Sequence, residues 1–263
     1  MALLELKKAT MRFGGLVAVD GLSMHVDRGE IVSLIGPNGA GKTTVFNMIT
    51  GVYEISCGEI YFNDELISKL QPREIVKRGI SRTFQNIRLF GKMRTIENAL
   101  LGAHIHEQYA IHDALLRTKR YREQELASHR KALEVLASIG LADHINEYAS
   151  NLPYGLQRRL EIARAIMTGA QLLLLDEPAA GMNPQESEDL MDFIKSLRDS
   201  GYTILLIEHD MNVVMNISDR IYVVDYGKLI AQGKPEQIKH DPNVIRAYLG
   251  TITEDMEEVK TDA

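Results

Sequence analysis

The residues best suited to chemistry in this chain form the run Gly36-Pro-Asn-Gly-Ala-Gly-Lys-Thr43, which fits the spacing G-x-x-x-x-G-K-[ST]. Glycines at these positions let the backbone N–H groups of Gly36, Asn38, Gly39, Ala40 and Gly41 close around phosphate oxygens, and a following helix N-terminus adds favourable partial charge. Lys42 supplies a mobile cation able to reach the β- and γ-phosphates of a nucleotide. The hydroxyl of Thr43 suits Mg2+, and that of Thr44 falls near the α-phosphate.

Two further places carry complementary groups. Asp176 closes the apolar run Leu172 to Leu175, so it emerges at the carboxyl end of a strand, where it can hold hydrated Mg2+ through a bound water. Its neighbour Glu177 can take the proton of a water attacking the γ-phosphate. Taken alone, an Asp-Glu pair after a strand is helix N-terminal charge; Lys42 upstream changes that reading. His209 follows the strand-like run Thr203 to Ile207 and can donate a hydrogen bond to the γ-phosphate. His104, His106, His112 and His129 lack matched Cys or carboxylate spacing and read as surface residues. The single cysteine, Cys57, cannot form an internal disulfide and reads as part of a turn before the strand 59–62.

The elements that must hold these groups are legible from hydrophobic pattern. Residues 3–35 alternate strand-like runs with glycine turns at Gly14-Gly15, Gly21 and Gly29, ending in the β-branched run Ile31 to Ile35 that feeds the glycine loop. Val45, Phe46, Met48 and Ile49 then mark one helical face, with Gly51 as its stop. Leu126, Leu133, Leu136 and Ile139 recur at helical spacing within a charged stretch, so about 87–165 reads as a helical insertion. Buried strands at 171–175 and 203–207 flank a helix around 188–198, whose apolar face includes Leu190, Phe193, Ile194 and Leu197. Beyond the strand 221–224, Tyr226-Gly227 marks a turn, and Thr251 to Ala263 reads as a frayed acidic tail.

Composition narrows the classes. With 263 residues, the chain fits one large domain carrying an inserted subdomain better than two independent cores. A net charge of -6 provides no overall basic field for nucleic acid. No apolar run approaches the roughly 20 residues needed to span a bilayer, and Met1 to Lys8 lacks a cleavage pattern. A cytosolic protein whose membrane association comes through partners is the expectation.

The order of Gly36 to Thr44, Gln85, Leu152-Pro-Tyr-Gly-Leu-Gln-Arg-Arg159, Leu172 to Pro178 and Glu208-His209 resembles the motif series of ATP-binding cassette (ABC) ATPases over nearly the whole chain. That resemblance implies an α/β P-loop NTPase with a RecA-like parallel sheet core, an antiparallel β subdomain and an inserted α-helical subdomain. Residues 1–250 would form one nucleotide-binding domain, with the helical subdomain at about 87–165 and the tail at 251–263. It further implies that Gln85 senses Mg2+ and the attacking water, that Phe13 stacks on adenine, and that Tyr154 and Gly155 meet the γ-phosphate of ATP held by a facing subunit. From the residues alone Phe13 reads equally well as core, and Gln85 can be read as a solvated loop residue. Two positions depart from the family pattern: Pro153 stands where a serine hydroxyl normally donates to that phosphate, and Asn183 replaces a common aspartate. Either is compatible with an asymmetric pair having one weakened site.

Ile80 to Phe90, Tyr154 to Arg164, Glu177 to Pro184 and the segments 233–238 and 241–250 resemble the ATP-binding subunits of branched-chain amino-acid importers. The resemblance implies ATP and Mg2+ as ligands and a second ABC ATPase subunit as partner, with a related but different chain expected and a homodimer the other option. It also implies two transmembrane permease subunits, an extracellular or periplasmic solute-binding protein acting indirectly, and residence at the cytoplasmic face of the membrane. Urea, short amides or other amino acids are alternative cargoes. A soluble non-transport ABC ATPase and a nucleotide-gated module with weakened hydrolysis are the rival classes.

Overall fold

The computed structural model describes residues 2–106 and 109–248; the tail expected at 251–263 lies outside them. In chain order the elements are β1 (Ala2–Phe13), β2 (Leu16–Asp27), β3 (Ile31–Ile35), α1 (Lys42–Ile49), β4 (Cys57–Phe62), β5 (Glu65–Leu66), α2 (Pro72–Arg78) and β6 (Ile80–Arg82). There follow α3 (Thr95–Ala103), α4 (Ile111–Leu115), α5 (Lys119–Ser138), α6 (Tyr154–Met167), β7 (Leu172–Asp176), α7 (Pro184–Asp199), β8 (Thr203–Ile207), α8 (Met211–Ile217), β9 (Arg220–Asp225), β10 (Lys228–Gly233) and α9 (Pro235–Lys239). Two compact units emerge: the described residues of 1–75 with 174–263, and residues 76–173.

The first unit contains two sheets. One is antiparallel, in the order β2-β1-β4-β5. Its long β1–β2 hairpin takes up an irregularity at Gly21, which lies inside β2 at a left-handed φ of 62° rather than in a turn between strands. The pairing steps from Ala9 with Leu22 to Met11 with Val19, and the Gly21 amide donates to the Thr10 hydroxyl instead of the ladder. Cys57 likewise opens β4 rather than sitting in a preceding turn.

The other sheet runs β10-β9-β3-β8-β7. β3 pairs in parallel with both β8 and β9, while β10 returns antiparallel. All five residues of β3, of β7 and of β8 are buried. Parallel strands covered on both faces require such runs, and Ile-Val-Ser-Leu-Ile, Leu-Leu-Leu-Leu-Asp and Thr-Ile-Leu-Leu-Ile supply them. The single hydroxyl in β3, on Ser33, is satisfied by Ser218 at 2.6 Å. α7 buries Leu190, Phe193, Ile194 and Leu197, the face its spacing announces. Asn183 caps it, accepting from the Glu186 amide at 2.9 Å while Glu186 accepts from the Asn183 amide at 3.0 Å.

The second unit is mainly helical. α5 buries only Ala132 and Leu136 along its length, and Leu126 is 59% exposed. The apolar periodicity of 126–139 therefore overstates the packed stretch, because the charged N-terminal half of α5 faces water. At the centre of this unit Arg158 on α6 is fully buried. Its guanidinium pairs with the equally buried Glu161 at 2.8 Å and donates to the carbonyls of Phe84 and Gln85, each at 2.8 Å. A desolvated cation persists there because these three acceptors, with the Tyr154 hydroxyl at 3.4 Å, replace water. Among the described residues, no helix is long and apolar enough to cross a membrane.

Arg158→Met is expected to lower unfolding free energy by about 3–5 kcal/mol, since it strands the buried Glu161 carboxylate. Chemical denaturation checks this, and Arg158→Met combined with Glu161→Leu should recover part of the loss.

Candidate functional site: a phosphate-binding loop at a sheet edge

The site grows from the end of β3. The chain leaves Ile35, turns through 36–41 and enters α1, so the loop sits at a helix N-terminus where backbone N–H groups favour anions. Two glycines are structurally obligatory. A Cβ on Gly36 would lie 2.0 Å from the Val224 carbonyl oxygen, and one on Gly41, which has a φ of 100°, would lie 2.5 Å from the Ala18 oxygen. The β9–β10 turn braces the loop, the Gly227 amide donating to Ala40 at 3.1 Å and the Gly227 carbonyl accepting from Asp20 at 2.8 Å.

Lys42, itself buried, donates its Nζ to the Gly36 and Pro37 carbonyls at 2.7 and 2.9 Å. Burial lowers its pKa from the ordinary 10.5, and the charges of Glu177 and Asp176 partly oppose that shift. Thr43 is exposed and Thr44 half-buried at the start of α1. A cleft of about 480 Å3 opens over the loop, lined by Phe13, Asn38 to Thr44, Glu177 and Tyr226. That volume falls within the range of small-molecule sites, roughly 300–1,000 Å3. Phe13 is 41% exposed and meets Tyr53 edge-on at 5.1 Å, so it is a wall of the cleft rather than a core residue.

The carboxyl ends of β7 and β8 meet beside the loop's strand, the Glu177 amide donating to the Ile207 carbonyl at 2.8 Å. Asp176 is buried at that edge. Glu177 adopts a left-handed φ of 45°, uncommon for a residue with a side chain and a mark of functional sites. Its Oε2 lies 3.6 Å from Nδ1 of His209, whose ring is largely exposed. The set contains a cation for phosphate, a carboxylate able to take a proton, and an imidazole able to donate a hydrogen bond. Thr43 and Asp176 offer hard oxygen donors of the kind Mg2+ takes alongside a substrate's own phosphates.

Phe13, the loop, Asp176, Glu177 and His209 thus all belong to the first unit, whereas Gln85, Tyr154 and Gly155 belong to the second. Gln85 is exposed in the chain after β6, with its backbone carbonyl held by Arg158. Pro153 is the N-cap of α6 with no side-chain cap bond, and a Cβ on Gly155 would meet open space. The Asn183 side chain is engaged as the α7 cap. His104, His106, His112 and His129 are exposed.

Three contributors were given no role of their own by the pattern reading. Tyr226, read only as a turn, lines both this cleft and a second one of about 620 Å3 that shares Asn38, Gly39 and Ala40 with it. Glu208, adjacent to His209, is buried and accepts from three backbone amides. Burial pushes its carboxyl above the ordinary value while the amides of Ala179, Asp210 and His209 pull the other way. Arg158 stands inside the motif 152–159, whose spacing assigns it no role of its own.

A parallel sheet with a glycine loop between strand and helix, and an Asp-Glu pair at the end of a strand one removed from it in the same sheet, defines a P-loop nucleoside-triphosphate-binding protein. The ABC transporter family model matches residues 19–180, and a model for branched-chain amino acid ATP-binding cassette transporters matches 228–252. The high-affinity branched-chain amino acid transport ATP-binding protein LivG of Escherichia coli strain K12 is 50% identical over 249 residues, covering 94% of this chain and 98% of LivG. The ADP conformation of MJ1267, an ATP-binding cassette of an ABC transporter, superposes with a TM-score of 0.83 at 33% identity, covering 95% of this chain and 99% of MJ1267. The dimeric cassette MJ0796 gives 0.72 at 26% identity, covering 88% and 98% respectively. The chain therefore belongs to the ATP-binding subunits of ABC transporters and is an ATPase.

Nucleotide affinity should fall as pH rises through the folded Lys42 pKa, because phosphate favours the protonated amine. With that pKa depressed in the free protein, the decline begins below the pH expected for an ordinary lysine. Calorimetric titration with ATP between about pH 8 and pH 11 checks the sign.

Proposed function

We propose that this chain energises import of branched-chain amino acids by binding and hydrolysing Mg-ATP at the cytoplasmic face of a cell membrane. The similarity to LivG across 94% of the chain carries the reading of the cargo, and the match at 228–252 supports it.

In this reading residues 1–250 act as one nucleotide-binding domain. The amides of Gly36, Asn38, Gly39, Ala40 and Gly41 cradle the phosphates, Thr44 meets the α-phosphate, and Phe13 stacks on adenine. Lys42 exchanges its two carbonyl partners for β- and γ-phosphate oxygens, a change of acceptor that keeps the buried cation paired. Thr43 and Asp176 would hold Mg2+, which when bound would neutralise charge building on the transferred phosphoryl group, and Gln85 is the residue that the family resemblance assigns to sensing it. Glu177 orients the attacking water and accepts its proton, and His209, whose Nδ1 lies 3.6 Å from the Glu177 carboxylate, donates to the γ-phosphate.

A second ABC ATPase subunit closes over the nucleotide, a reading supported by the dimeric structure of the bacterial ABC transporter cassette MJ0796. A paralogue suits the departures at Pro153 and Asn183 better than an identical copy. Tyr154 and Gly155 then face the partner's γ-phosphate, where the α6 N-terminus offers backbone donors in place of the absent serine hydroxyl. Two permease subunits supply the membrane-spanning part and an external solute-binding protein delivers cargo.

Glu177→Gln is expected to keep Mg-ATP affinity within about twofold while lowering kcat by roughly three orders of magnitude. Equilibrium binding and phosphate release measure the two separately. In cells lacking this chain, uptake of radiolabelled leucine, isoleucine and valine should fall and return with the wild-type gene but not with Glu177→Gln. Unchanged uptake of all three alongside lost uptake of urea or short amides would reassign the cargo.

A further inference from the structure

Glu208 has no part in the chemistry just described, yet its surroundings are unusual for an acid. It follows the last residue of β8 and is 1% exposed. One carboxylate oxygen, Oε1, accepts from the Ala179 amide at 2.8 Å, across 29 positions of sequence. The other, Oε2, accepts from the His209 amide at 3.1 Å and the Asp210 amide at 3.4 Å.

A carboxylate is suited to this place because both of its oxygens only accept. An amide side chain would turn an NH2 group toward at least one backbone donor, and an apolar side chain would leave those donors without acceptors in a buried setting. A bond from strand end to the neighbouring loop also has a geometric result. Ala179 lies two residues beyond Glu177, and the turn between them is closed by Ala180 donating to the Glu177 carbonyl at 3.2 Å. On the other side, the His209 amide bonded to Glu208 belongs to the residue whose ring faces Glu177 at 3.6 Å. The two loops are thereby tied at two points, Glu177 to Ile207 through the backbone and Ala179 to the Glu208 carboxylate, while the other carboxylate oxygen braces the His209 and Asp210 amides of its own loop.

We infer that Glu208 is a positioning residue for ATP hydrolysis, its carboxylate fixing the loop that carries Glu177 against the loop that carries His209. This rests on the roles proposed above for Glu177 and His209. The effect is one of geometry at the transition state: with the tie lost, His209 no longer holds its place relative to the γ-phosphate, although the phosphate-binding loop on β3 is untouched. Ground-state nucleotide binding is therefore spared while turnover falls.

The test is a double-mutant cycle in the full-length chain, assembled with its partners, using Glu208→Gln, His209→Ala and the combined variant, with Glu177→Gln as reference. Mg-ATP binding, KM and kcat are measured for each, and circular dichroism establishes that each is folded. Expected is a kcat loss of roughly 10- to 100-fold for Glu208→Gln with KM changed less than about threefold. The combined variant should match His209→Ala within about twofold, because Glu208 acts through that side chain. Losses that multiply, or an unchanged kcat in Glu208→Gln, overturn the inference. Should Glu208→Gln not fold, Glu208→Asp replaces it in the cycle: it keeps the charge near His209 and Asp210 but withdraws from Ala179, and the same outcomes apply. If Glu177→Gln and His209→Ala both keep wild-type turnover, the catalytic reading fails and takes this inference with it. If they lose turnover while Glu208→Gln does not, this inference alone fails.

Discussion

Backbone carbonyls crowd the glycine loop from outside, and the rest of the site depends on that contact. Val224 and Ala18 present their oxygens where the side chains of residues 36 and 41 would be, so the loop can take only the conformation that turns its own N–H groups inward. Those carbonyls come from β9 and β2, one from each sheet of the first unit, and the Gly227 turn ties them together. Lys42 is also held by carbonyls, those of Gly36 and Pro37, so its charge waits inside the loop rather than in solvent.

Sheet order then decides what stands near the loop. β3 lies between β9 and β8, and β7 lies beyond β8, so the loop after β3, the Glu177 segment after β7 and the His209 segment after β8 all leave at one edge. Ligands in open α/β sheets bind outside the carboxyl ends of strands for this reason. The left-handed conformation of Glu177 is a local cost, roughly 1–3 kcal/mol, sustained by its bond to Ile207 and by the closure of the following turn.

The second unit meets a different problem, that of anchoring an irregular segment to a helix. It does so with a buried Arg158, whose planar fork reaches Glu161 and two consecutive carbonyls at once. Gln85 thus has its backbone fixed while its side chain stands in an exposed stretch, and α6 begins at Tyr154 with no side chain capping its first amides.

Much was legible in the amino-acid order because local rules governed it. Strands buried on both faces must be continuous apolar runs, so β3, β7 and β8 announced themselves, and the residue closing each run marked the edge where chemistry gathers. The α7 face and the glycine loop were equally plain, since periodicity and the conformational freedom of glycine are properties of short segments. Periodicity failed at Leu126, where helical spacing persisted after the helix had left the core. It also placed Gly21 between strands when cross-strand pairing put it inside one. Which wall Phe13 would form, that Tyr226 would line the cleft, and that Glu208 would be buried against Ala179, 29 positions away, were decided only by tertiary structure. Burial, and the hydrogen bonds that make a buried charge tolerable, depend on residues brought close by the sheet, and the spacing of a sequence carries no record of them.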